Sequence, residues 1–272
     1  MKTTLYYFSA TGNSLSFARS LAAELDDATC MAIPKAMEEG HSDARTPGIG
    51  LIFPVYSWGP PRIVTDFART ITPGNGQYVF AVATCGGTPG GAMLLLEDTL
   101  THNGVTLDAG FVVNEGSYEV IPEIFLMHMM KTLGKQKPTF QPGQSGKERL
   151  SEIAAVVKNR QQHGVEANAW AANFFGGLLH NPALNSFKTA DNNFWVEDTC
   201  NRCRICERVC PQKNITIEHE KHVWHHNCER CFACLQWCPK HAIQFAQKSV
   251  NNPRGHHAEV TLKDMLLWER AN

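Results

Sequence analysis

Between Cys200 and Cys238 the chain writes the pattern C-x-x-C-x-x-C-x-x-x-C-P twice. The first copy is Cys200, Cys203, Cys206, Cys210 and Pro211, and the second is Cys228, Cys231, Cys234, Cys238 and Pro239. No other feature limits the fold as much, because three thiols at i, i+3 and i+6 must come from one tight loop wrapped around a common centre. A cubic iron–sulfur cluster needs four thiolates at four corners. The loop supplies three, with its backbone amides turned to the cluster's sulfurs, and the fourth must arrive from elsewhere. The Cys-Pro pairs are suited to supply it, since proline turns the chain away. Structural zinc uses paired ligands in a tetrahedron, which this spacing serves poorly. Disulfides need an oxidising compartment, and the N-terminal MKTTLYYFSATGNS shows no readable signal peptide.

This spacing resembles the bacterial-type two-cluster ferredoxins, in which the fourth Cys of each run ligates the cluster of the other run. The resemblance implies two [4Fe-4S] clusters: cluster I on Cys200, Cys203, Cys206 and Cys238, and cluster II on Cys228, Cys231, Cys234 and Cys210. Crossed ligands make the two halves one folding unit and set the clusters near one another. From Thr199 to Lys248 there are eight Lys or Arg against four acids. Two readings stay open: a partial offset of the anionic clusters, or a solvated basic surface for a partner. The histidines at 219, 222, 225, 226, 241, 256 and 257 show no competing metal spacing and read as surface residues.

The chain has 272 residues, enough for two domains, and a formal net charge of −1. Near-neutral charge without a basic run argues against nucleic acid. No apolar stretch reaches the roughly 18 residues that a membrane span needs. Reduced thiols, oxygen-sensitive cofactors and no export signal place the expected site of action in the cytoplasm.

Upstream, strand and helix patterns alternate. Strands are expected near 3–8, 29–33, 49–55, 78–83 and 110–113, with Cys30 buried in the second. Helices are expected through Leu15–Leu25, Ile63–Ala68, Met93–Leu100 and from Lys147 to about Gln162. Near-continuous apolar strands alternating with helices predict a parallel sheet covered on both faces. Ligands then bind beyond the carboxyl ends of the strands. Three loops rich in Gly, Ser, Thr and aromatic residues fall at that edge. The first, Ser9-Ala10-Thr11-Gly12-Asn13-Ser14, has hydroxyls, an amide and a glycine but no Lys or Arg, and opens a helix. Such a loop suits a phosphate held by backbone N–H groups and the helix dipole. It is not a Walker A loop, and no G-x-G-x-x-G supports a nicotinamide site.

These loops resemble those of the flavodoxin family. The residues that carry the likeness are S-A-T-G-N-S after strand one, Tyr56-Ser57-Trp58-Gly59 after strand three and Thr84-Cys85-Gly86-Gly87 after strand four, and it spans about residues 1–160. It implies FMN, with its phosphate on Ser9, Thr11, Gly12, Asn13 and Ser14. Tyr56, Ser57, Trp58 and Gly59 would flank one side of the ring, and Thr84, Cys85, Gly86 and Gly87 would approach its pyrimidine end. Turn chemistry and capping are the plain alternative for the first loop, and packing beside Pro60-Pro61 for Trp58. Cys85 lacks the Arg six residues later that a phosphatase needs, since Gly91 stands there. It reads as a small residue near the flavin.

The whole chain is similar to flavodoxin–ferredoxin fusion proteins. The expected fold is a flavodoxin-like five-stranded doubly wound sheet over 1–165, a bridging segment over 166–194, and an α+β two-cluster domain with a C-terminal helix over 195–272. Residues 114–130 either lie over the flavin or form a Met-packed surface insertion. Trp170, Phe174, Phe175 and Leu178 read as interdomain packing, and Thr261-Leu262-Lys263-Asp264 fits a capping box ahead of Met265, Leu266 and Trp268. The expected function is electron transfer between clusters and FMN, in an oxidoreductase that takes electrons from a redox protein and reduces a small molecule. The competing readings are a pure carrier between partner proteins, and a redox sensor. A second copy of the chain is a further candidate partner.

Overall fold

The structure, a computed structural model, describes residues 1–40, 46–116, 145–167, 180–247 and 249–266. The expected roles of residues 117–130 and of Trp170, Phe174, Phe175, Leu178 and Trp268 fall outside these residues. Five parallel strands form one sheet: β1 (Thr3–Tyr7), β2 (Ala28–Ala32), β3 (Gly48–Pro54), β4 (Tyr78–Cys85) and β5 (Ala109–Asn114). Their order is β2-β1-β3-β4-β5. That is the flavodoxin-like doubly wound order, in which the order of strand addition reverses between β1 and β3 while every strand stays parallel. The register pairs Thr3 with Gly48 and Tyr7 with Ile52, which sets the ends of β1 and β3 side by side.

Alternation along the strands splits the core in two. Leu5 and Tyr7 face a cluster with Leu15, Phe17, Ala18 and Leu21 of α1 (Asn13–Glu24) and Ile153, Ala154 and Val157 of α5 (Gly146–Lys158). Tyr6 and Phe8 face the other cluster. It is built from α2 (Ile33–Glu39), α3 (Arg62–Ala68) and α4 (Ala92–His102). Helix α2 was not expected; Pro34 at its first turn was the available signal. Cys30 departs from expectation as well. It is exposed rather than buried, because β2 is an edge strand with neighbours on one side only.

One buried charged pair ties this domain to the chain that follows it. Arg149 and Glu166 are joined by two bonds of 2.7 Å and are almost fully buried. Glu166 also accepts from the Val112 N–H at 2.8 Å, and Arg149 donates to the Val112 carbonyl at 2.7 Å, so every charge has partners as burial requires. The pair ties α5 and the chain after it to β5.

The cysteine-rich region is a pseudo-repeat. Short helices α6 (Ile205–Arg208) and α7 (Ala233–Gln236) sit at equivalent places in the two runs. So do three pairs of left-handed residues: Arg202 and Arg230, Arg204 and Phe232, Lys213 and His241. Strand β6 (Phe194–Val196) pairs antiparallel with β9 (Ile243–Phe245), and β7 (Ile215–Glu218) with β8 (Lys221–Trp224). The closing helix α8 (Leu262–Met265) has the expected capping box between Thr261 and Asp264. It packs on α1, where Arg19 bonds Asp264 at 2.6 Å. Arg19 and then the Thr261 hydroxyl hold the Asp264 carboxyl below the usual carboxylate range.

Candidate functional site

The eight cysteines gather into two sets. Cys200, Cys203, Cys206 and Cys238 line one cavity, and Cys210, Cys228, Cys231 and Cys234 line the other. Each set therefore takes three thiols from one run and the last from the other. Among the described residues no three His, Cys, Asp or Glu side chains form a group that could hold a single metal ion. The left-handed residues let the backbone curl around each cavity and turn amides inward. Arg202 and Arg230 donate N–H groups to Cys200 and Cys228 Sγ at 3.4 and 3.2 Å. Asn214 and Ala242 do the same for Cys210 and Cys238 at 3.2 and 3.3 Å. Burial pushes the Cys206 and Cys228 thiols up to about 12. Metal must therefore displace protons from these sites to bind.

The three sheet-edge loops also come together. Gly12, with φ of 102°, caps α1, and its own N–H donates to Ser9 Oγ at 3.1 Å. No described residue accepts a hydrogen bond from the N–H of Thr11, Asn13 or Ser14. Asn13 Oδ1 is buried without a partner. A row of free amides at a helix start fits a phosphate. Ser14 Oγ lies 2.9 Å from Thr84 Oγ1, which joins the first loop to the third. Asn13 Nδ2 donates to the Glu115 carbonyl at 3.0 Å, which joins it to the end of β5.

In the second loop Tyr56 and Gly59 exchange backbone hydrogen bonds at 2.9 and 3.1 Å around Ser57 and Trp58, both left-handed. Such a turn strains side-chain-bearing residues, and strain of this kind collects at functional sites. His180, absent from the sequence expectations, holds it through Nδ1 at 3.0 Å from the Ser57 carbonyl. Burial lowers the His180 pKa, with the backbone contacts to Ser57, Pro60 and Tyr56 opposing the shift. Trp58 seats on Gly90, also unanticipated, which has φ of 55° and would place a Cβ 2.7 Å from the Trp58 Cα. Gly90→Ala is expected to cost about 1–3 kcal/mol of overpacking. It should displace Trp58 and weaken FMN binding in a fluorescence titration; unchanged affinity would remove Trp58 from the ring site. Cys85 is buried, its thiol pushed up to about 11, while Gly86 and Gly87 are exposed.

The two sites adjoin. Cys231 packs against both core clusters of the sheet. Burial raises the Tyr56 phenol pKa well up, and Cys231 and then Glu229 add to the rise. Sequence could not pair these residues, because nothing in a cysteine spacing says which face of the cluster domain meets the sheet.

Residues 194–239 match the 4Fe-4S dicluster domain family. No curated protein sequence matches the chain. Among solved structures it is similar to a short-chain flavodoxin associated with a non-canonical PDU bacterial microcompartment, at 16% identity over 58% of this chain and 98% of that one, TM-score 0.40. The Streptococcus pneumonia TIGR4 flavodoxin is similar at 14% identity over 59% and 99%, TM-score 0.40. The two-electron reduced Megasphaera elsdenii flavodoxin is similar at 22% identity over 43% and 88%, TM-score 0.34. No described helix is long and apolar enough to cross a membrane. Strand order and family match together make the chain a flavodoxin-like domain fused to a 4Fe-4S dicluster domain.

Proposed function

We propose that the chain is an electron-transfer protein of the cytoplasm. It holds two [4Fe-4S] clusters in its two thiol sets and FMN at its three sheet-edge loops, and reduces a small molecule with electrons from a redox protein. When bound, the clusters exchange single electrons and the flavin links these to two-electron chemistry. The observation that carries this reading is the seat of Cys231 against both sheet cores, beside Tyr56. It builds one redox site onto the edge of the other. The protein's residues give the two thiol sets different places. The set with Cys231 faces the flavin loops, while the other includes the exposed Cys203 and is the one a protein donor can approach. Thr11, Asn13 and Ser14 would bind the phosphate through their amides, and Tyr56 and Trp58 would orient the ring. The domain limits that fit this division are 1–165 and 195–272.

Anaerobic purification with analysis of iron, acid-labile sulfide and flavin tests it. About eight irons and one FMN per chain are expected if both sets hold cubes. Zinc in place of iron would sink the cluster reading, and iron without flavin would sink the FMN reading alone.

A further inference from the structure

The loop that would hold the flavin phosphate is not built by the sheet domain alone. Trp237 is buried, and its indole N–H donates to the Ala10 carbonyl at 2.8 Å. The backbone N–H of His257 donates to the Thr11 carbonyl at 2.8 Å. Val260 closes over Gly12, where an added Cβ would lie 2.8 Å from the Val260 Cβ. Glu259 accepts from the Ser16 hydroxyl at 3.0 Å. Residues 10 to 12 are therefore pinned by the cluster domain and the segment that follows it.

These pins converge on one place in the cluster domain. Trp237 immediately precedes Cys238, whose sulfur accepts the Ala242 N–H at 3.3 Å. The Trp237 ring stacks on His256 at 4.2 Å, and Gln236 accepts the Gly255 N–H at 2.8 Å. Trp237 thus holds the loop directly, and Gln236 and Trp237 also hold the 255–260 segment that covers it. Once Cys238 is fixed by its cluster, Trp237 and His256 are fixed with it, and the loop amides are pre-organised for an anion. A Cys238 left free leaves Trp237 held from one side only, by α7 with Cys234 of the other set, and more of the loop's ordering then falls to the ligand. Pre-ordering of this kind raises affinity without any new contact.

We infer that flavin binding and the cluster site at Cys238 are coupled through Trp237, each raising retention of the other. The inference rests on the FMN reading above. Coupling of binding sites is reciprocal and typically about 5–150-fold. Two measurements on the full, cluster-loaded chain test it. In the first, anaerobic fluorescence titration gives the FMN Kd of the wild type and of Trp237→Phe, which keeps a ring but loses the donor. In the second, iron loss to a ferrous chelator is followed with and without saturating FMN. The expected results are a Kd at least about fivefold higher in the variant, and iron loss in the wild type slowed by FMN at least about fivefold, with that protection reduced in the variant. Equal FMN affinity and equal protection would overturn the coupling and leave the flavin reading standing. A wild type that binds no FMN would take down the flavin reading and the coupling with it. If Trp237→Phe fails to load its clusters, the wild-type chelator experiment decides alone, and absence of protection overturns the inference.

Discussion

Cys210→Ala is expected to empty the cluster site at Cys228, Cys231 and Cys234 and to spare the one at Cys200, Cys203 and Cys206, the three thiols nearest to it in sequence. Iron should fall from about eight to about four per chain. The reason is geometric. Cys210 lines the same cavity as the second run's first three thiols, and its sulfur is set there by the Asn214 N–H at 3.2 Å. Asn214 is itself held by Asp191, which accepts from its side-chain amide at 2.9 Å and from the His226 N–H at 2.9 Å. This lattice joins the end of the first run to the start of the second. Cys238→Ala is the mirror experiment, expected to empty the first run's site. Because the site with Cys231 abuts the loops proposed to hold FMN, the two variants should also differ in optical behaviour. At saturating FMN, where a change in affinity no longer alters occupancy, loss of iron at the Cys228 set should change the fluorescence of the bound flavin more than loss at the Cys200 set. If Cys210→Ala spared its partner run's site and emptied its own, crossed ligation would be wrong.

What could be read in advance follows from the range over which each signal acts. The need for a fourth thiol from elsewhere was legible because a cube needs four corners and one loop reaches only three, whereas which run supplies it came from the likeness to two-cluster ferredoxins. Sheet class was legible from the apolar runs of β3 and β4, and the meeting of the three loops at one sheet edge from their each following a strand. Helix α2 was hidden because Pro34 stands directly after a strand-like run, and a proline there reads equally well as a strand end. Cys30 misled because an apolar strand gives no sign of whether it lies at the edge of its sheet. His180 and Gly90 were invisible for another reason. Their roles are contacts with Ser57 and Trp58, distant in sequence, and their residue types are ordinary in isolation. Trp237 was nearest to being found. An aromatic residue wedged directly before a predicted ligand is a packing residue by default, and only the sheet edge opposite reveals its acceptor.

Glu229→Ala is expected to loosen the join between the domains by about 3–5 kcal/mol, the usual cost of stranding one member of a buried ion pair. Glu229 stands between Cys228 and Cys231, and its side chain is 1% exposed. One oxygen, Oε1, accepts from Arg62 Nε at 3.1 Å, from the Ile63 N–H at 3.2 Å and from Gln212 Nε2 at 2.6 Å. Arg62 also donates to the Asn227 carbonyl at 3.2 Å, so α3 grips the second cysteine loop through both side chain and backbone. Burial raises the Glu229 pKa while Arg62 opposes the rise. Truncation leaves the guanidinium and the Ile63 N–H facing a void. Against a total stability of about 5–15 kcal/mol, such a loss is large. The urea midpoint of the loaded chain should drop by about 1 M or more. A double-mutant cycle with Arg62→Ala separates the pair from its surroundings. If the grip is real, the double variant is less damaged than the sum of the singles, because neither charge is then buried alone. Additive losses would show that the two side chains act independently. Glu229→Gln sharpens the test: it keeps an acceptor for Ile63 and removes the charge. A penalty as large as that of Glu229→Ala would assign the join to the ion pair, and a small one to the hydrogen bonds.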